Sequence, residues 1–233
     1  MPPTPLAVSF RLGVANCQSY GGDRSERAWR ARAAIIAAAG WRVACVVETS
    51  GPGRKVMLDE LKRRTGKTWK AVVLGGKTVA ILYDSKLGSR RLTRSKSFGT
   101  PFGHGVIVAP LKLAGGLGVD IGSVHVRPSA VATNAQKDAD IAKAAKLRGT
   151  WPFLLAGDFN RHDPKLAGMT RAMRVDTHDK AGNNPLDSVY GKNGSTMTVS
   201  FSDVKVTNPG QWSDHKWPSA LVTITKKPKP TTT

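Results

Sequence analysis

The chain has 233 residues, of which 40% are hydrophobic, and this length fits one domain with a sizeable core. Its 36 Lys and Arg against 16 Asp and Glu give a formal net charge of +20, which favours polyanions such as nucleic acid. Two cysteines are too few for a disulfide scaffold, no apolar run approaches the ~20 residues of a membrane span, and the N-terminus shows no secretion signal pattern. We therefore expect a cytoplasmic monomer that binds nucleic acid and not membrane.

Both ends of the chain are rich in proline. Residues 1–5 and 226–233 are predicted to be flexible tails, the second one basic, on either side of a single domain at residues 6–225. Cys17 and Cys45 lie in apolar, strand-like contexts and are expected to be buried thiols. A disulfide between them remains open if their strands are neighbours.

The first third of the chain alternates strands with helices. Residues 10–15 predict a strand that stops at Asn16, residues 27–39 predict a helix, and residues 41–47 predict a buried strand that stops at Glu48. A carboxylate directly after an apolar strand suits a hard divalent cation such as Mg²⁺. Taken singly, Asn16 is equally typical of a turn and Glu48 of an exposed loop.

The middle of the chain predicts a second helix at residues 55–64 and a β-hairpin formed by residues 69–74 and 78–83. The following segment, residues 85–105, has no hydrophobic periodicity and is interpreted as an irregular, mobile basic loop. Such a loop is either solvated surface or a means of binding phosphates beside a cleft. Its basic residues are Arg90, Arg91, Arg94 and Lys96.

The next polar side chains also lie at strand ends. Residues 106–113 and 118–126 predict two strands, the second with His125 near its end, and a helix is predicted at residues 134–147. The apolar residues 153–156 predict a strand that runs into Gly157-Asp158-Phe159-Asn160. Asp158 and Asn160, two residues apart, point in a similar direction from extended chain, but both are also ordinary turn formers.

The C-terminal third predicts a short helix at residues 165–174 and a closing strand at residues 220–225. The sequence Ser213-Asp214-His215 precedes this strand. Two aspartates, Asp187 and Asp203, could pair with His215, and we prefer Asp187 because residues 197–206 match the strand that follows it.

Asn16, Glu48, Asp158 and His215, in this order and each at a strand end, resemble the motifs of the endonuclease/exonuclease/phosphatase superfamily, which includes pancreatic deoxyribonuclease. The resemblance extends from Phe10 to about Ile224. It implies an α/β fold, namely a two-sheet α/β sandwich with helices packed on the outside, as in the four-layer deoxyribonuclease fold.

The resemblance also implies a role for each motif residue. Glu48 would bind Mg²⁺ or Mn²⁺ with help from Asn16 and Asp214, and His215 held by Asp187 would activate water. The other implied residues act on the phosphate: Asn160 and His125 by hydrogen bonds, Asp158 by orienting the nucleophile or the leaving group, and Arg127 by its charge.

These roles predict a metal-dependent nuclease that hydrolyses DNA. The alternatives are a phosphatase of the same superfamily acting on an inositol phosphate or lipid headgroup, and a non-catalytic nucleic-acid-binding module. The net charge of +20 and the absence of an apolar membrane-binding segment in the sequence favour nucleic acid over a lipid headgroup.

Overall fold

The computed structural model describes residues 6–18, 22–75, 78–98, 104–177 and 185–228. The helices are α1 (Glu26–Ala38), α2 (Gly51–Thr65) and α3 (Asn134–Ala145). The strands are β1 (Ala7–Asn16), β2 (Val43–Val47), β3 (Trp69–Val73), β4 (Ala80–Asp84), β5 (Gly88–Arg90), β6 (Arg94–Ser97), β7 (Gly105–Leu113), β8 (Gly118–His125), β9 (Phe153–Asp158), β10 (Thr170–Arg171), β11 (Asp187–Lys192), β12 (Met197–Thr207) and β13 (Trp217–Lys226).

The strands form two sheets that pack face to face. The first has the order β12-β13-β1-β2-β4-β3, and the second has the order β10-β11-β9-β8-β7-β5 with β6 also paired to β7. Side chains such as Leu12, Cys45, Ile121 and Leu154 fill the core between them. Helices α1 and α2 cover the outer face of the first sheet and α3 covers that of the second, so the predicted four-layer sandwich is confirmed.

Local sequence explains the strand faces. In β1, Phe10, Leu12 and Val14 alternate into the core between the sheets, while Gly13 faces α1 and α2. The Trp41 ring lies so close to Gly13 that a Cβ atom there would come within 2.3 Å of it. Glycine at this position therefore allows a fully buried tryptophan to pack directly on the strand backbone.

The helix starts are set by short polar side chains. Ser25 caps α1 by accepting a hydrogen bond from the Ala28 N–H, and Ser50 caps α2 in the same way through Gly53. Thr133 and Gln136 form a reciprocal capping box at the start of α3. All three helices were predicted, with ends that differ by a few residues.

The prediction of an irregular loop at residues 85–105 is wrong for about half of the described part of that segment. Strands β5 and β6 within it pair antiparallel with β7. They lack hydrophobic periodicity because they are short strands at the rim of the sheet, where the ladder to β7 supplies the backbone hydrogen bonds and the side chains face solvent. Residues 99–103 lie outside the described residues.

The predicted helix at residues 165–174 is also wrong. The segment makes a turn and then the two-residue strand β10, which pairs with β11. The Arg171 guanidinium contacts Asp163 Oδ1 at 2.6 Å and Ser188 Oγ at 2.8 Å, and these contacts hold the chain extended against the sheet. Tertiary contacts thus override the helical preference of the local sequence.

Both cysteines are free and buried. Cys45 lies in the core between the sheets, whereas Cys17 packs on the outer side with α1, so the disulfide left open from the sequence does not form. Burial raises the pKa of each thiol to about 12. These cysteines are inert packing residues.

The predicted β-hairpin is formed by β3 and β4, and its expected turn residues 76 and 77 lie outside the described residues. In the described parts of the chain, none of the helices has both the length and the apolar character needed to cross a membrane.

Strand β12 lies at the rim of the first sheet and is largely exposed. Its pairing with β13 shifts between Ser202 and Lys205, where Asp203 adopts a positive φ of 44°. The Asp203 carboxylate forms an ion pair with Arg11 of β1, two strands along the same sheet. This arrangement is a β-bulge within an 11-residue strand.

Candidate active site

The polar strand ends meet at one edge of the sandwich. The parallel pairs β1/β2 and β8/β9 bring their C-terminal ends to this edge, and β11 runs antiparallel to β9 with Asp187 directly opposite Asp158. Residues from both sheets are thereby gathered between the layers. They are Asn16, Glu48, His125, Asp158, Asp187 and His215.

Asn16 is the hydrogen-bonding centre of this cluster. Its Nδ2 donates to Glu48 Oε1 and to Asp158 Oδ2, both at 3.1 Å, and lies 3.5 Å from His215 Nε2. Its Oδ1 accepts from the Gln18 backbone N–H at 2.9 Å. Asn16 therefore positions the two carboxylates through its amide nitrogen, and its Oδ1 retains a second lone pair for the metal role expected from the sequence.

His215 is paired with Asp187, as preferred from the sequence. The distance from His215 Nδ1 to Asp187 Oδ2 is 2.6 Å, and both side chains are buried. Asp187 is itself held by its backbone N–H, which donates to Thr177 Oγ1. The competing Asp203 lies on β12, where it contacts Arg11 and Lys205 instead.

The electrostatics of the cluster favour a proton on His215. Burial alone would lower the pKa of His215, but the Asp187 carboxylate, with Asp158 and Asp214, outweighs it and raises this pKa to about 10. Burial and then repulsion from Asp187 raise the pKa of Asp158 to about 7. The site thus joins an imidazolium to a carboxyl group that exchanges protons near neutrality.

His125 is buried and neutral. Its Nε2 lies 3.8 Å from Glu48 Oε1 and 3.9 Å from Asp158 Oδ2. Burial, and then the neighbouring His104 and His215, lower its pKa well below the usual value. The ring centroids of His104 and His125 are 4.5 Å apart, a contact that sequence reasoning missed because His104 lies in a glycine-rich stretch without a pattern.

Asn160 lies beside Asp158 but its amide is engaged by the protein. Its backbone N–H donates to Asp158 Oδ1 at 2.7 Å, and its Nδ2 donates to the Val126 carbonyl at 2.8 Å and to Asp158 Oδ2 at 3.3 Å. The residue adopts a positive φ of 44°. To donate to a phosphate, as expected from the sequence, Asn160 must exchange one of these contacts.

Lys137 is a site-supporting residue that the sequence analysis missed. It lies on α3, is only 2% exposed, and its Nζ donates to the Asn160 carbonyl at 2.6 Å and to Ser129 Oγ at 2.7 Å. The signal was its spacing, because Lys137, Ile141 and Ala144 occupy one helical face and that face is buried. This ammonium fixes the backbone that carries Asn160.

We expect Lys137→Met to lower kcat of the activity proposed below by up to about a hundredfold, because small displacements of positioning groups have effects of this size. KM should change little, and Lys137→Arg should restore part of the rate. Lys143→Met removes a half-exposed lysine of the same helix and serves as the matched control. Equal losses in both variants, measured at matched thermal stability, would contradict the positioning role.

Two groups of side chains could hold a cation. The first is Glu48, His125 and Asp158, and the second is Asp158, Asp187 and His215, with the ligand atoms of each group within 4.8 Å of one another. The second fits poorly because Asp187 Oδ2 already contacts His215 Nδ1. The first offers two carboxylates and a neutral imidazole, and carboxylate oxygens are the ligands that a hard divalent cation prefers.

Asp214 was expected to assist Glu48, but the structure places it in neither group. Its Oδ1 lies 3.9 Å from His215 Nε2, and its side chain is about a quarter exposed. Within the described ranges, Asp158 rather than Asp214 is the aspartate grouped with Glu48 in position to share a metal. Sequence could not predict this, because the choice depends on how the two sheets are aligned.

The basic residues predicted to flank the site are spread over a long distance. Arg127 follows the site strand but forms a 2.7 Å ion pair with buried Asp140. Lys96 pairs with Val106, close to the site end of β7, whereas Arg90 pairs with Leu111 at the far end. Arg91 donates its backbone N–H to Pro110 towards that far end and Arg94 pairs with Val108 near the middle of β7. The four residues thus follow the rim of the second sheet instead of grouping at the site.

No protein-family model matches the sequence, and no curated protein matches it. Solved structures do match its fold. A humanized TDP2 from D. rerio carrying 14 mutations has a TM-score of 0.74 at 14% identity, with 92% of this chain and 98% of that chain covered. D. rerio TDP2 complexed with a single-strand DNA product has a TM-score of 0.72 at 12% identity, with the same coverage.

A protein from Bacteroides vulgatus described as an endonuclease/exonuclease/phosphatase has a TM-score of 0.71 at 14% identity, again with 92% and 98% of the two chains covered. The sandwich described above is therefore the fold of the endonuclease/exonuclease/phosphatase superfamily. The resemblance first seen in the sequence motifs is confirmed at the level of the fold.

Proposed function

We propose that the protein is a divalent-metal-dependent phosphodiesterase that acts as a nuclease on DNA. The observation that carries the proposal is the convergence on Asn16 of two unlike parts: the carboxylates of Glu48 and Asp158, and the His215–Asp187 pair. Phosphodiester hydrolysis needs charge neutralisation on the phosphate, an activated water and a stabilised leaving oxygen. The cluster has groups suited to each need.

Glu48 and Asp158, with His125 beside them, are the residues that would hold Mg²⁺ or Mn²⁺. When bound, such an ion neutralises charge on the phosphate and stabilises the departing oxygen. Asn16 keeps the two carboxylates at a fixed separation by donating to both, so that mutual repulsion does not spread them apart.

The proton-transfer roles follow from the acids around His215. Asp187 lies 2.6 Å from one ring nitrogen and Asp214 lies 3.9 Å from the other, and this environment favours the imidazolium. A protonated His215 donates to the phosphate, and Asp158 orients the water and accepts its proton. This differs from the expectation that His215 activates the water, because the carboxylates around His215 raise its pKa and favour the protonated ring.

DNA is the favoured substrate because of charge. The net charge of +20 suits a long polyanion better than a single phosphate group. The D. rerio TDP2 with a similar fold was solved with a single-strand DNA product, which supports a nucleic-acid ligand for this architecture. A phosphatase acting on an inositol phosphate or lipid headgroup would not need so strong a field.

The test is a digestion panel with Mg²⁺ or Mn²⁺ and matched reactions in EDTA. It contains supercoiled plasmid, linear duplex, single-stranded DNA, an abasic duplex, RNA and an inositol polyphosphate. We expect cleavage of DNA that EDTA abolishes, with binding that weakens by orders of magnitude between low and physiological salt. Release of phosphate from the inositol compound alone would indicate the phosphatase, and salt-sensitive binding without cleavage would indicate a binding module.

A further inference from the structure

A cleft of about 530 Å³ opens at the far end of the second sheet from the candidate active site. It lies between the segment that joins β5 to β6 and the segment that joins α3 to β9. The side chains that give it its character are Arg91, Leu92, Arg94, Asp120 and Trp151. None of these residues takes part in the chemistry proposed above.

Its position relative to the active site follows from strand β8. Asp120 lines the cleft and His125 belongs to the candidate active site, and five residues of extended chain separate them by roughly 17 Å. Val119 and Ile121 point into the core between the sheets, so Asp120 faces outward, on the side that α3 covers farther along. The cleft is therefore a separate feature of the outer surface.

The cleft combines an aromatic ring with fixed positive charge. The Arg91 guanidinium lies over the Trp151 ring at 5.0 Å, and Trp151 rests on Gly118, where a Cβ atom would come within 2.4 Å of the ring. Leu92 is 91% exposed at the rim. Tryptophan and arginine side chains are enriched in binding interfaces, and here they lie side by side at the mouth of a cleft.

Arg94 adds a second cation held in place. Its Nη2 lies 2.7 Å from Oδ2 of Asp120, and the same carboxylate oxygen accepts the Gly149 backbone N–H at 2.6 Å. The Asp120 side chain is buried. The Arg94 side chain is still about one third exposed, so the guanidinium remains accessible to a ligand in the cleft.

We propose that this cleft is a second binding site for single-stranded nucleic acid. An unpaired base stacks on the outer side of the Arg91 guanidinium, which is itself supported by the Trp151 ring, and the adjacent phosphates contact Arg91 and Arg94. Bases stack on aromatic rings and guanidinium planes only when they are free of a duplex, which selects single strands. The proposal rests on the proposed function in taking nucleic acid as the substrate.

Exposed Lys96 connects the cleft to the active site. It lies on the same strand as Arg94, two residues nearer to the edge where Gly105 pairs with His125, and its side chain faces the same outer surface. A strand held at both sites would span roughly 17 Å, or about five nucleotides at a stacked spacing of 3.4 Å. Oligomers shorter than this should reach one site only.

The experiment measures binding of fluorescein-labelled oligodeoxythymidine of about 12 and about 3 nucleotides to the full chain in EDTA. The variants are Arg91→Glu and Leu92→Glu, and the control is Lys62→Glu, which makes the same charge change as Arg91→Glu at an exposed position on α2. We expect both cleft variants to weaken the longer oligomer about tenfold more than the control does, and to leave the shorter one at the level of the control.

The tryptophan provides a second readout. Trp151→Phe keeps a ring against Gly118, so the fold should persist, and we expect it to abolish most of the fluorescence quenching that the longer oligomer causes in the unmodified protein. If the cleft variants weaken both lengths equally, or no more than Lys62→Glu does, the second site is excluded. If polyglutamate shows the same dependence on Arg91 and Leu92 as the longer oligomer, the cleft is a general acidic-polymer site and the single-strand assignment is wrong.

Hydrolysis separates this proposal from the proposed function. A chain that binds with the predicted length dependence but cleaves no substrate in Mg²⁺ would contradict the nuclease and support the cleft. A chain that cleaves DNA in Mg²⁺ but binds with no length dependence would support the nuclease and contradict the second binding site.

Discussion

Asp187→Asn is expected to lower the rate of metal-dependent DNA nicking by about 10³-fold. The amide keeps the size of the side chain, but it removes the negative charge that stabilises the proton on His215. A comparable change in the His–Asp pair of serine proteases costs on the order of 10⁴, and we expect a smaller loss because a metal shares the charge stabilisation here. His215→Ala should remove nearly all turnover.

The pH profile gives Asp187→Asn a specific signature. In the unmodified protein the pKa of His215 is raised to about 10, so the active imidazolium is present at neutral pH and is lost only on the alkaline side. Without the Asp187 carboxylate this pKa falls, and the alkaline decline in activity should move towards neutral pH. The pH at which the remaining activity of the variant is highest should therefore lie below that of the unmodified protein.

Asp203→Asn is the matched control, because it makes the same chemical change at the competing aspartate. Asp203 lies on the exposed strand β12 against Arg11, and its replacement should leave nicking nearly unchanged. The three variants are compared at equal thermal stability. If the Asp203 variant loses nicking activity and the Asp187 variant keeps it, the assignment of Asp187 as the partner of His215 is overturned.

Glu48→Gln is expected to remove metal binding together with activity. The side chain contributes a carboxylate to the group that includes Asp158, and metal stabilisation of a transition state is worth several kcal/mol, so the rate should fall by about 10³-fold. The fold should not suffer, since the variant relieves repulsion between two carboxylates held by Asn16.

Calorimetry and thermal unfolding test whether Glu48 binds the metal without relying on activity. A ligand that binds only the native state raises its stability, so Mn²⁺ should raise the melting temperature of the unmodified protein and not that of Glu48→Gln. Glu26→Gln, at an exposed position on α1, is the control and should respond like the unmodified protein. A Glu48→Gln protein that still binds and responds to Mn²⁺ would assign the metal to other residues.

Most of the fold could be predicted because the buried strands carry their own signal. Residues 153–156 and 41–47 are short apolar runs that stop at polar residues, and such runs predict strands covered on both faces. The strands that were not predicted lack such an apolar run. Strands β5, β6 and β10 are short, polar and at the rim of a sheet, so they depend on a neighbouring strand that local sequence does not reveal.

The candidate site divides in a similar way. Asn16, Glu48, Asp158 and His215 could be predicted because each follows or precedes a recognisable strand. The hydrogen bonds that set their roles could not, since Asn16 and His215 are 199 positions apart and meet only in the folded sandwich. Lys137 has the sequence spacing of the buried face of α3. A lysine is nevertheless assigned to the surface by default, unless its position is compared with the 3.6-residue period of the helix.

The bulge in β12 has a consequence for the behaviour of the protein at high concentration. A long strand at the rim of a sheet offers a row of free backbone groups to a second molecule, and Val204 and Val206 are exposed along it. The irregular register at Asp203 and the nearby charges of Arg11 and Lys205 interrupt that row. The edge therefore resists intermolecular strand pairing, and the chain is protected from one route to aggregation by the same aspartate that sequence reasoning had weighed for catalysis.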